Sequence, residues 1–188
     1  SGRIILLKDV LKDSVDLALQ QINEKNPTLG NKELVAHEVG TGAVVFHDLM
    51  NERIGNFDFK LEEVVRFEGD TGPYVQYANA RAQSILRKAG NPELDMSNLV
   101  IDDENVWETE KLLGDFNDVV RRAWRDREPS VIAKYALNLS RTFNKYYANS
   151  KILAEDEQLN ARLALVTAVS QVLTESLRLL GVKAPKEM

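Results

Sequence analysis

Tyr74, Tyr77, Arg81, Ser84 and Lys88 recur at spacings of three and four, so on a helix they form one stripe of flat rings beside positive charge. A phenol ring offers a stacking face, and a guanidinium one turn away can reach a phosphate or stack on a base. Bases unstacked from single-stranded loops are held in this way. On residue type alone a helical tyrosine serves a core edge more often than a ligand, and the stripe is compatible with either use.

The helix that would carry this stripe has a clear start. Gly69 and Gly72 permit backbone angles that other residues resist, and Pro73, with φ fixed and no N–H to lose, suits the first helical position. The spacing predicts a helix from near Gly72 to near Gly90, ahead of Asn91-Pro92. Val75, Ala78, Ala82, Ile85 and Ala89 form its apolar stripe, rotated by about 100° from the aromatic one.

Other groupings carry less. Gly40-Thr41-Gly42 lacks the third glycine and the preceding strand of a dinucleotide fingerprint. Glu33, His37 and His47 make neither a His-Glu-x-x-His run nor paired Glu-x-x-His motifs, so surface or capping roles are expected. With two histidines and no cysteine, no nucleophile and base set emerges. Arg121, Arg122, Arg125 and Arg127 cluster around Trp124, where the simple reading is a solvated helix C-terminus favoured by the macrodipole. Tyr147 extends a ridge of Tyr135, Leu139 and Phe143 but falls at a helix end with Lys145 and Lys151, so it is either core or contact. Arg81, Arg87, Lys88, Arg141, Lys145, Lys151 and Arg162 would make a basic patch if their helices packed together.

Periodicity fills in the rest. Leu11, Val15, Ala18, Leu19 and Ile22 mark a helix from Asp9 to about Glu24, stopped by Asn26-Pro27-Thr28-Leu29-Gly30. A second helix is predicted from Lys32 to about Met50, where Gly40 and Gly42 either weaken it or let another backbone come close. Asn51 to Lys60 is rich in turn formers, and a short helix follows from Leu61 to Arg66. After a loop from Asn91 to Asp103, three long helices are expected. The first spans about Asn105 to Arg127, with Leu112, Phe116, Val119 and Ala123 inward. The second starts at Pro129, with Ile132, Ala136, Leu139, Phe143 and Tyr146 inward. The third runs from about Glu157 to Leu180, its apolar pattern broken at Ser170. No alternation supports a strand, so the expected fold is an all-α helical bundle.

The 188 residues, 44% of them apolar, are enough for one ordinary domain with or without a helical attachment. No apolar run is long enough to cross a bilayer, and neither a secretory leader nor cysteine is present, so a cytoplasmic protein is the expectation. A net charge of −5 argues against indiscriminate nucleic-acid binding, and DNA is not an expected partner.

Phe67-Glu68-Gly69-Asp70-Thr71-Gly72-Pro73-Tyr74-Val75-Gln76-Tyr77-Ala78-Asn79-Ala80-Arg81 closely resembles the F-E-G-(D/N)-T-G-P-Y-x-Q-Y-A-x-x-R motif of bacterial arginyl-tRNA synthetases. Ala161-Arg162-Leu163-Ala164-Leu165, Gln171-Val172-Leu173, Leu179-Leu180-Gly181 and Glu187-Met188 resemble the closing helix and end of that family. The run from Val39 to Leu49 resembles its link between catalytic and anticodon domains, and Ser1-Gly2-Arg3 resembles the residues after its Lys-Met-Ser loop.

The resemblance implies a C-terminal fragment: residues 1–60 a helical linker after an absent catalytic domain, and 61–188 a DALR-type anticodon-binding domain. It implies a parent enzyme that joins arginine to its tRNA using ATP and Mg; with no nucleotide loop, metal set or nucleophile in this sequence, the fragment is expected to bind no cofactor and to be inactive alone, and a monomer is the expectation. Carried over by motif position, Tyr77, Arg81, Tyr147 and Met188 would surround the splayed anticodon loop, with Tyr74 a further contact. At Lys151 some relatives have an aromatic, so charge there replaces a stacking surface. The competing expectation is a helical protein-interaction or dimerisation module, in which the same stripe is a hot spot for another protein.

Overall fold

The computed structural model describes residues 6–52, 54 and 59–188. Ser1-Gly2-Arg3 and part of the turn-rich 51–60 stretch lie outside the described residues. Among the described residues seven α-helices run in chain order: α1 Leu7–Lys25, α2 Lys32–Met50, α3 Leu61–Val64, α4 Gly72–Lys88, α5 Trp107–Asp126, α6 Ser130–Asn149 and α7 Leu159–Leu179. A 3-10 turn, Glu104–Val106, leads into α5. Among the described residues there is no strand, and no helix is long and apolar enough to cross a membrane.

The apolar stripes explain the packing. α4 is the central element and touches α2, α6 and α7, while α5 closes the bundle against α6 and α7. Phe46, Val75, Leu139, Phe143, Tyr146, Leu173 and Leu177 are fully buried in the main core. Each of the valine, leucine and phenylalanine side chains among them contributes about 1.5–3 kcal/mol relative to exposure. Ser170 interrupts the pattern of α7 for a reason: its hydroxyl donates to Asn79 Oδ1 at 2.7 Å and accepts from Gln83 Nε2 at 2.6 Å, tying α7 to α4. Buried Gln76 donates to the carbonyls of Glu38 at 3.3 Å and Lys183 at 2.8 Å, tying α4 to α2 and to the segment after α7.

The α1–α2 hairpin packs through Gly40. A Cβ there would lie 2.6 Å from the Ser14 carbonyl oxygen and 2.6 Å from the Val15 nitrogen, so only glycine admits this backbone approach. A second, smaller core results, in which Ala18, Ile22, Leu29, Val35, Ala36, Val39, Phe67, Ala80 and Met188 are buried and Tyr77 packs alongside.

Candidate nucleic-acid interface

The start of α4 is fixed before its tyrosines appear. The Tyr74 N–H donates to Thr71 Oγ1 at 3.1 Å, an N-cap, and the same hydroxyl donates to the Arg66 carbonyl at 2.6 Å. Gly69 takes φ 77° in the preceding turn. Gly72 sits where a Cβ would meet Phe46 Cβ at 2.7 Å, so α4 is seated tightly on α2. One face of α4 is thereby buried, and Tyr77 and Arg81 are left half-buried at its edge.

Tyr147 comes from the end of α6, the helix beside α4, and is 42% exposed. The chain beyond it is anchored: Ser150 Oγ donates to Asp103, which holds the Asp103 carboxyl below its ordinary range, and Asn105 reinforces the effect. Arg162 is buried, donates to the carbonyls of Ile152 at 2.8 Å and Ala154 at 2.5 Å, and pairs with Asp156 at 2.9 Å. It organises the turn after α6 and contributes nothing to a basic surface.

The rings and the guanidinium meet. Arg81 Cζ lies 5.2 Å from the Tyr77 ring centroid and 4.9 Å from that of Tyr147. Tyr77 also packs on Phe67, with centroids 5.9 Å apart. Tyr77, Arg81 and Tyr147 line a cleft of about 420 Å³ together with Asn26, Ser84, Arg87, Lys88, Glu187 and Met188, within the usual range of about 300–1,000 Å³ for ligand sites. Asn26 Nδ2 donates to the Met188 carbonyl at 3.2 Å. Arg87 holds the neighbouring residues by donating to the Lys186 carbonyl at 3.0 Å and pairing with Glu187 at 3.3 Å.

Four of the expected residues, Tyr77, Arg81, Tyr147 and Met188, therefore share one cleft. Met188 is mostly buried and forms its wall. Tyr74 does not line the cleft: its hydroxyl accepts from Asn144 Nδ2 at 3.0 Å. Lys151 is exposed in the turn after α6 and is not among the lining residues. The wider basic patch forms only in part. Arg81, Arg87 and Lys88 converge, whereas Arg141 pairs with Asp70, Arg162 is buried, and Lys145 and Lys151 lie elsewhere on the surface.

Sequence reasoning missed Asn26 and Asn144. Neither has a periodic signature, and the available signal was weak: Asn26 opens a helix-stopping Asn-Pro turn, and Asn144 lies three residues before Tyr147 on α6. Along α2, Glu33 and His37 are exposed and His47 packs edge-on against Phe59 at 5.5 Å.

Residues 75–188 match the family described as DALR anticodon binding domain, and residues 1–61 match the family described as tRNA synthetases class I (R), catalytic domain. The chain is 68% identical over 187 residues to an arginine–tRNA ligase of Leuconostoc mesenteroides subsp. mesenteroides and 67% identical over 187 residues to that of Leuconostoc citreum. In both cases the match covers 100% of this chain and 33% of the relative, so the chain spans about a third of their length. The solved arginyl-tRNA synthetase of Thermus thermophilus superposes with a TM-score of 0.91 at 37% identity, over 98% of this chain and 32% of that one. The arginyl-tRNA synthetase of Plasmodium falciparum shares the fold, with a TM-score of 0.84 at 21% identity over 98% of this chain and 34% of that one. The chain belongs to the DALR anticodon binding domain family.

Proposed function

We propose that this chain is the anticodon-reading part of an arginine–tRNA ligase, and that the cleft between α4 and α6 receives bases splayed from the anticodon loop of an arginine tRNA. The observation that carries the reading is the convergence of Tyr77 and Arg81 from α4 with Tyr147 from α6 on one open cleft. Two flat faces from separate helices hold an unstacked base, each stack worth about 1–3 kcal/mol. Arg81 fixes a base edge or the backbone, Met188 closes the wall, and Arg87 and Lys88 supply local positive charge on an acidic protein. Tyr74 and Lys151 act from outside this cleft, on neighbouring nucleotides of the loop. Residues 1–60 act as a helical linker and 61–188 as the anticodon-binding domain, in a monomeric cytoplasmic enzyme.

In that larger enzyme ATP and Mg serve the joining of arginine to tRNA. The role of this part is recognition, carried by the residues of the cleft.

The test is a filter-binding titration of the 188-residue chain with an arginine-tRNA anticodon stem-loop, with the central anticodon base changed as control. Affinity should fall steeply with salt and with the base change. Tyr77→Ala should weaken binding by about 1–3 kcal/mol. Equal affinity for both stem-loops would remove the reading.

A further inference from the structure

Asn144 bridges Tyr74 of α4 and the Arg81 guanidinium, which Tyr77 and Tyr147 flank. Its Oδ1 accepts from Arg81 Nη1, and its Nδ2 donates to the Tyr74 hydroxyl at 3.0 Å. The orientation of this amide is dictated by chemistry. Arginine has donors only, so Asn144 must turn its oxygen toward Arg81, which leaves its NH₂ for Tyr74 and obliges that hydroxyl to accept. Asn144 is half-buried on α6 three residues before Tyr147, so one turn of α6 supplies both a ring that flanks Arg81 and the amide that holds it.

We propose that Asn144 is a positioning residue for RNA recognition: by holding the Arg81 guanidinium over Tyr77 and Tyr147, it shapes the base-stacking cleft before RNA arrives. The inference rests on the reading of the cleft as an anticodon-loop site. An arginine side chain has several rotatable bonds, and one anchored in its working position loses little further freedom when a base or phosphate is bound. Tyr74 belongs to the same device: outside the cleft wall, it fixes the amide that fixes the arginine. A free guanidinium would sample other partners, and the space between the rings would lose its shape. The charge of the cleft would be unchanged.

Two measurements test this on the 188-residue chain. The first needs no RNA: the Arg81 side-chain N–H resonance, followed by NMR. The wild type should show a shift induced by the tyrosine rings and slowed exchange. Asn144→Leu, similar in size but without hydrogen bonds, should return the resonance to that of a solvated arginine, and Asn144→Asp, which keeps the acceptor, should restore it. The second is binding of an arginine-tRNA anticodon stem-loop carrying 2-aminopurine in the loop. Asn144→Leu should weaken binding about tenfold, the worth of one hydrogen bond to a charged group. Its salt dependence should match the wild type, because no cation is removed. Should the Leu variant melt early, Asn144→Ser removes the reach of both hydrogen bonds without adding apolar surface. An Arg81 resonance indifferent to Asn144→Leu or Asn144→Ser, or wild-type RNA affinity in those variants, overturns the proposal. A wild-type chain that fails to bind the stem-loop defeats the anticodon reading instead, and with it the recognition role of Asn144, while the resonance alone still decides whether Asn144 holds Arg81.

Discussion

Around Arg81, rings from two helices share one guanidinium in a cleft, whereas around Trp124 four arginines crowd a single helix end and face water. Arg121 pairs with Asp118 at 3.1 Å, Arg125 pairs with Asp126 at 2.8 Å, and Trp124 is 82% exposed. In sequence the α5 cluster is the richer of the two in cations. What separates them is ring contact on the cation: Tyr77 and Tyr147, from two helices and partly desolvated, pack on Arg81, where a cation–π contact rises from about 0.5–1 kcal/mol toward about 2. The exposed pairs on α5 are worth roughly 0–1 kcal/mol each. The α5 arginines also border clefts shared with Ile132 and Tyr135 of α6, but Trp124 beside them stays exposed, whereas Tyr77 and Tyr147 pack on the Arg81 guanidinium.

The largest predicted effect breaks the support of the cleft. Gly40→Ala places a methyl group against the α1 backbone, and it should cost about 1–3 kcal/mol or more of stability in denaturant unfolding. Because α1, α2 and their connection supply Asn26 and the core beneath Tyr77 and Met188, stem-loop affinity should fall in the same variant, while Trp124 fluorescence in the folded state stays as it was. Next, Tyr147→Ala should weaken stem-loop binding by about 1–3 kcal/mol without changing the melting temperature appreciably, since the ring is partly in solvent.

Neighbours on α6 sharpen the contrast within one turn. Burial, then the negative charge of Asp103, pushes the Tyr146 hydroxyl from 10.0 up to about 12. Its folded pKa is raised, so the stability it contributes is complete below pH 10 and is lost as pH rises through about 12. An ultraviolet titration should show late tyrosine ionisation coincident with alkaline unfolding, and Tyr146→Phe should remove part of that late step. The smallest effect is expected on α5. Trp124→Ala should change both stability and stem-loop affinity by no more than about 0.5 kcal/mol.

Much of this fold was legible in the sequence because it rests on local rules. The inward stripe of α6 is buried throughout, Val119 and Ala123 of the α5 stripe are buried while Leu112 and Phe116 are only partly so, the start of α4 at Gly72 follows from its turn and proline, and of the two readings left open for the glycines of α2 Gly40 makes the close approach. Arg162 shows where such rules fail. Its type indicates a surface cation, yet it lies beside Leu163 on the inner side of α7 and satisfies carbonyls of the turn after α6. Tyr77, Arg81, Tyr147 and Met188 could be proposed from spacing and motif, but their meeting depends on how α4, α6 and the 186–188 segment pack, which no single-helix pattern encodes. Asn26 and Asn144 were illegible for the same reason: each acts through long-range hydrogen bonds, Asn26 with Met188 and Asn144 with Arg81 and Tyr74.

The most direct test is a chemical-shift map of the 188-residue chain titrated with an arginine-tRNA anticodon stem-loop. Saturable shifts should centre on Tyr77, Arg81, Asn144, Tyr147 and Met188 and leave Arg122 and Trp124 unmoved. Shifts centred on Trp124 and its arginines, with the cleft silent, would contradict the account.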